Sequence, residues 1–465
     1  MKVLSDALLV AAAMILARSI IGNLAYFTFL GVSVSSVRRL IRGTGSIPLE
    51  VFRDSPNLPA ISVLVPARNE AVTIVDSARA LLDLDYPQHE VIVVNDGSTD
   101  ATLAALVDAF HLAAVDRPAV LRSIQAPPVR QMFRSQADPR LWVIDKENSG
   151  KSPSLNTALN YAQYPLICTV DADSILEPDA LLRIARMYLE DPDRTMVIGG
   201  MVRVANGCKV RQGQVVATGI PRNFVARLQA AEYTKIFTGG RPGWSTMNGL
   251  VIISGAFSVL RRDLMLKVGG YSVGRPGEDT EVVLKMFNYC RAHHLPCRIR
   301  FCADAVCWTQ APETVGQLAI QRQRWSQGNI SNLHRYSFMA GRPKYGMIGL
   351  FTLPFMFFVE ALAPYMIGLG LIDIYFRGPL AQTILTVFLA RWILEFAISI
   401  SAIILDDWAF RRYRTSEVVR LLLTAVHLEL WYHLMTSVFQ VRGQWRYLRQ
   451  SHVWAPALPR SSWEG

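Results

Sequence analysis

The distribution of apolar residues constrains this chain more than any other feature. Leu8–Val32 is a run of about 25 mostly apolar residues, long enough to cross the roughly 30 Å hydrocarbon core of a bilayer. Met347–Ile372 and Leu380–Leu405 are two further runs of that length. The long stretch between the first run and the second has the polarity of a soluble protein. The 51 % hydrophobic content of the 465 residues therefore describes a soluble domain between membrane segments, not one large core.

Arginines orient the segments. Arg38, Arg39 and Arg42 follow the first run, and Arg411, Arg412 and Arg414 follow the third. The positive-inside rule puts both clusters in the cytoplasm, the N-terminus outside, and the short Ile374–Pro379 connection outside. Val418–Val441 is apolar enough to insert, but it carries Arg420, His427, Glu429 and His433 and leads into Arg442, Arg446 and Arg449. Spanning, re-entry and an interfacial position all stay open for it. Arg18 within the first run is expected to face a neighbouring helix or to snorkel. Glu360, Arg391 and Glu395 are costly in lipid; they either line a path for a polar polymer or pair with one another.

The net charge of +11 admits nucleic acid, anionic lipid or an anionic substrate as partner. Basic residues flank apolar runs and do not interleave with aromatics on one element, which argues against nucleic acid. Six cysteines without a CxxC pair read as reduced thiols in a cytosolic domain.

In the soluble part, strands alternate with helices. Ile61–Val65, Val91–Val94 and Leu166–Val170 are short continuous apolar runs, and Ile74, Ala78, Leu81 and Leu82 recur at helical spacing. That alternation predicts an α/β fold with a parallel sheet covered by helices on both faces, and such sheets bind ligands beyond the carboxyl ends of their strands. Asp96 and Asp171 follow two of those strands, so one crevice receives both. The segment from Phe110 to Arg140 has no clear period and reads as a surface insertion.

Several clusters have the composition of a reactive site. Asp171-Ala-Asp173 ends a buried strand with two carboxylates, a pair able to hold a divalent cation against phosphates, although acidic residues also cap helices. Asp96 beside Gly97 offers an acceptor to a base or ribose, or simply closes a turn. Lys151 follows a flexible glycine near the same crevice. Glu278, Asp279 and Glu281 crowd three carboxylates together, and mutual repulsion suits one of them to accept a proton. Gln321-Arg-Gln-Arg-Trp325 puts guanidinium forks for phosphate beside a flat ring for a sugar, and also suits an interfacial basic helix.

In this order, Asp96, Asp171/Asp173, Glu278-Asp279 and Gln321-x-x-Arg324-Trp325 resemble the family 2 glycosyltransferases. The likeness is to the processive membrane-bound branch that makes cellulose, chitin, hyaluronan and poly-N-acetylglucosamine. It implies a GT-A-like mixed sheet flanked by transmembrane helices. The organisation becomes an N-terminal anchor over 1–45, a cytoplasmic catalytic domain over 55–312, interfacial helices with QRQRW over 313–345, a membrane region over 346–441 and a basic tail over 442–465. It further implies that Asp96 contacts uridine, with Glu70 a weaker contact. Lys151 and Asp171 then serve the diphosphate, Asp173 and Asp171 a Mg²⁺ or Mn²⁺ ion. Asp279, beside Glu278, becomes the catalytic base. Gln321 and Arg324 hold the diphosphate, while Trp325, Ser254 and Gly255 shape the acceptor site. Asn95 stands where the family often has a further aspartate. The implied partners are a UDP-sugar (N-acetylglucosamine or glucose), a glycan or lipid acceptor and membrane lipids, in the plasma or inner membrane. The rivals are a transferase adding one sugar to a lipid, a transporter and a binding-only pseudoenzyme. Few helices and no internal repeat oppose the transporter. The presence of every implied catalytic residue opposes the pseudoenzyme.

Overall fold

The computed structural model describes residues 2–44, 48–116, 118–120, 124–375 and 381–449. The chain forms two compact units. Among the described residues, one takes Arg39–Asn223 and Val251–Ala311; the other takes Lys2–Arg38, Phe224–Leu250 and Pro312–Arg449.

The first unit is built on a ten-stranded mixed sheet. Its strands are β1 (Ile61–Ala67), β2 (His89–Asp96), β3 (Leu112–Val115), β4 (Val129–Ser135), β5 (Leu141–Lys146), β6 (Leu166–Val170), β7 (Ser174–Leu176), β8 (Thr195–Val204), β11 (Phe257–Arg261) and β12 (Arg298–Thr309); β9 (Lys209–Arg211) and β10 (Gln214–Ala217) pair separately. The order is β3-β4-β5-β2-β1-β6-β11-β8-β12-β7. β5, β2, β1 and β6 run parallel, so Lys146, Asp96, Ala67 and Val170 end on one edge. β2, β6 and β8 are buried along their whole length, as continuous apolar strands under helices on both faces must be.

Two pairings bring distant sequence to that edge. β11 runs antiparallel to β6 with Phe257 opposite Val170, which puts Ser254–Ala256 beside Asp171. Helix Lys151–Tyr161 begins just after β5, so its first turn lies at the same edge. The segment Phe110–Arg140 is not a plain insertion: β4 pairs antiparallel with β5 and β3 antiparallel with β4, so the two extend the sheet to its edge at β3. In β4 only Met132 and Ser135 are buried, while Arg130 and Arg134 face out, so the run carries no strong apolar period.

Among the described residues, four helical stretches are long and apolar enough to cross a membrane: Leu9–Gly43, whose part up to Arg38 lies in the second unit, and Ile348–Ile372, Ala381–Phe410 and Thr415–Leu448 of that unit. The last covers Val418–Val441, which is thus one continuous helical path with a π-helical stretch at Leu428–Tyr432. Ala25, Phe29, Phe355 and Val359 form an apolar cluster with Trp244 against it. Gly243 permits this packing, because a Cβ there would lie 2.4 Å from the Phe29 carbonyl oxygen. Arg18 donates to the carbonyl of Val359, so it faces a helix. Carboxylates of these helical stretches are paired: Tyr26 donates to Glu360, and Lys235 bridges Glu395 and Glu429 at 2.6 and 2.9 Å. Most of the connection after Tyr375, and the tail after Arg449, lie outside the described residues.

Candidate active site

Four chain segments of the first unit meet at the carboxyl edge of the sheet. Lys151, the first residue of its helix, places Nζ 2.6 Å from Asp171 Oδ1 and 3.3 Å from Glu278 Oε1. Burial alone would lower the lysine pKa, but the attraction of Asp171 and Glu278 outweighs it and the ammonium is held more firmly charged. Asp171 is about one-third exposed and open to a ligand, whereas Asp173 is buried, with Ser174 Oγ 3.5 Å from its Oδ1.

Asp279 occupies the first turn of helix Glu278–Ala292 with Glu278 and Glu281. A helix N-terminus stabilises such carboxylates through its unpaired N–H groups. The Asp279 Oδ1 accepts from the Thr280 N–H at 2.8 Å, and Oδ2 from the Gly255 N–H at 3.1 Å. Burial raises its pKa most, repulsion from Glu278 adds to that, and Lys151 opposes both; the result lies near 6. A carboxylate so placed releases and takes up protons near neutrality, as a general base requires. Gly255 cannot carry a side chain easily here, since a Cβ would stand 3.0 Å from Lys151 Nζ and 3.5 Å from Asp279 Oδ2. Ser254 Oγ accepts from the Ala256 N–H at 3.3 Å and shapes the same loop.

Asp96 has a different setting from Asp171. It is 3 % exposed, and its carboxylate accepts from the Ser149 and Gly150 N–H groups at 2.9 and 2.8 Å and from the buried ammonium of Lys146. Lys146 also donates to the Glu147 carbonyl and Ser149 Oγ. Asp96 therefore fixes the loop that delivers Lys151. The sequence reading missed Lys146; its one signal was a lysine closing an apolar strand, Leu141-Trp-Val-Ile-Asp-Lys146. Glu70 lies at the end of β1, half-buried, with Thr73 Oγ1 donating to Oε2 at 3.0 Å. Asn69 Oδ1 takes the Thr99 N–H at 2.8 Å, so Ser98–Asp100 does act as a turn joined to the β1 loop.

Gln321, Arg324 and Trp325 lie in the other unit, on helix Val315–Arg335. Arg324 and Trp325 are exposed, Trp325 by 40 %. Gln321 Oε1 is buried and unpaired among the described residues. Arg322 is the buried arginine of the motif.

No cluster of three or more His, Cys, Asp or Glu side chains suited to a metal occurs among the described residues. The donor set still fits a hard divalent ion that binds through one or two carboxylates and completes its shell with phosphate oxygens and water. Asp171 and Asp173, just after β6, are the two carboxylates that would serve such an ion.

The family described as "Glycosyltransferase like family 2" matches residues 59–328. Poly-beta-1,6-N-acetyl-D-glucosamine synthase of Staphylococcus epidermidis is 26 % identical over 288 residues, 62 % of this chain and 58 % of that protein. Probable glycosyltransferase YdaM of Bacillus subtilis is 29 % identical over 274 residues, 58 % of this chain and 56 % of that one. This chain thus spans a little over half the length of these curated relatives. Among solved structures, mannosyltransferase PcManGT from Pyrobaculum calidifontis, in complex with GDP-Man and Mn²⁺, aligns with a TM-score of 0.51 at 19 % identity, covering 94 % of this chain and all of that one. That likeness establishes the GT-A-like fold.

Proposed function

The chain belongs to glycosyltransferase-like family 2, and from that premise we propose that it is a membrane-embedded hexosyltransferase lengthening a β-linked polysaccharide from a UDP-sugar on the cytoplasmic face. The observation that carries this reading is Asp279, a carboxylate raised to about 6 and aimed by the Gly255 N–H, beside the Lys151–Asp171 ion pair. The names of the relatives favour N-acetylglucosamine as the sugar.

The reaction is a single displacement. Asp279 takes the proton of the acceptor hydroxyl as its oxygen bonds to the anomeric carbon. The bond from that carbon to phosphate breaks, UDP leaves with the electron pair, and the anomeric configuration inverts. Lys151 sets a fixed positive charge where the diphosphate lies, so part of the leaving charge is met by a group already in position. Asp171 and Asp173 would hold Mg²⁺ or Mn²⁺, which when bound neutralises diphosphate charge. Gly255, without a side chain, leaves room for the acceptor beside Asp279, and Ser254 shapes that loop. Asp96 and Glu70 serve the nucleoside end, Asp96 by holding loop 147–150 in place. Gln321 and Arg324 bind the diphosphate and Trp325 stacks on the acceptor sugar.

The test is to incubate the full chain in lipid vesicles with Mn²⁺ and each of several labelled UDP-sugars, following UDP release and product size. A high-molecular-weight product from one donor is expected. A short, solvent-extractable product would replace this reading with glycosylation of a membrane lipid.

A further inference from the structure

The QRQRW segment contains a buried assembly that the proposed chemistry does not use. Arg322 Nη2 donates to Glu232 Oε2 and, at 3.0 Å, to the Tyr432 hydroxyl oxygen. The Tyr432 hydroxyl in turn donates to the same Glu232 Oε2 at 3.0 Å. The three groups thus close a triangle, and their residues are only 6 %, 8 % and 0 % exposed. Removing one member leaves a buried charge short of its partner, so the geometry is held firmly.

The same guanidinium lies over the Trp325 ring at 4.3 Å, one helical turn along. Tyr233, next to Glu232, sits beside that indole with ring centres 6.4 Å apart at 30°. Trp325 is therefore packed on protein over part of its surface and 40 % open over the rest. A ring held in this way is a fixed platform, and a flat apolar surface with a set orientation is what a pyranose face stacks on. Tyr432 belongs to the π-helical stretch Leu428–Tyr432, inside the last candidate membrane span.

We propose that Glu232, Arg322 and Tyr432 form a positioning triad that fixes the Trp325 ring for the acceptor sugar and ties it to the last candidate membrane helix. The triad touches no substrate. It acts through Trp325, and this inference rests on the proposed role of that residue as acceptor platform. A shift of the Leu428–Tyr432 stretch would reach the platform through one hydrogen-bonded arginine.

The experiment uses the full chain in vesicles with a UDP-sugar that it turns over and a β-1,6-linked N-acetylglucosamine pentamer as added acceptor. Tyr432→Phe keeps the ring and removes the hydroxyl. It should raise the acceptor KM about three- to tenfold, leaving the donor KM unchanged, because a typical net hydrogen bond is worth about that factor. Arg322→Lys, which keeps the charge but loses the planar fork, should do the same and shorten the product. The decisive readout is the cycle with Trp325→Phe: in that background Tyr432→Phe should change the acceptor KM less than twofold, since both act on one step. Additive effects in the cycle, or an unchanged acceptor KM in both single variants, would overturn the proposal. If the unmutated chain shows no transfer with any donor, it is the functional reading beneath the proposal that fails.

Discussion

At the scale of single residues, Asp279 sets the expected pH behaviour. Its pKa near 6 lies above the ordinary 3.8, raised first by burial and next by Glu278. The base form is the deprotonated one, so kcat/KM should rise with pH through about 6 and level off above it. Glu278→Gln removes a raising influence and should move that limb to lower pH. Lys151→Met removes the opposing cation, so the limb should move up while the rate falls. A pH–rate series on the three proteins checks both directions, and a limb that stayed put in both variants would exclude Asp279 as its source. The sign for stability is the reverse. This group contributes stability below about pH 4 that is lost as pH rises through 6. Asp96, Asp171, Lys151 and Asp279 stand out in the sequence because each lies at a strand end or a helix start. The engagement of Asp96 was not, because its partner Lys146 is 50 positions away and only the β2–β5 pairing brings the two together.

At the scale of elements, the loop between β5 and helix Lys151–Tyr161 depends on that buried pair. Lys146→Met leaves the Asp96 carboxylate with two backbone donors and no cation. Loss of one partner of a buried ion pair costs about 3 to 5 kcal/mol, so thermal unfolding of the solubilised chain should shift to markedly lower temperature. A midpoint within a degree of the unmutated chain would show that the loop does not depend on Lys146. Gly97, at φ +58, has the neighbouring constraint: a Cβ there would come within 2.5 Å of the Asn148 nitrogen. The strands β1, β2 and β6 could be read from sequence because a strand buried on both faces is an uninterrupted apolar run. β4 could not be read so, because a strand with exposed arginines at Arg130 and Arg134 has no such run. Nor could the approach of Ser254–Ala256 to Asp171, which follows from antiparallel β11 pairing with β6.

At the scale of the whole molecule, the membrane segments were the most legible feature, since their length and apolarity depend on no tertiary contact. The proposed topology, which rests on the basic clusters, has Arg411–Arg414 on the cytoplasmic side and the 374–379 connection outside. Single cysteines placed in these two segments of a cysteine-free chain should react with an impermeant maleimide only at 374–379 from outside intact cells; the opposite pattern would invert the topology. The proposed sugar transfer depends on Asp279 as the base. The most direct test compares Asp279→Asn with the unmutated protein in the same vesicles at saturating UDP-sugar, reading product formed per minute and donor affinity. A rate lower by at least about a hundredfold is expected, with donor affinity kept within a few-fold, the usual scale for loss of a general base. A variant that makes product within a few-fold of the normal rate would contradict that role of Asp279.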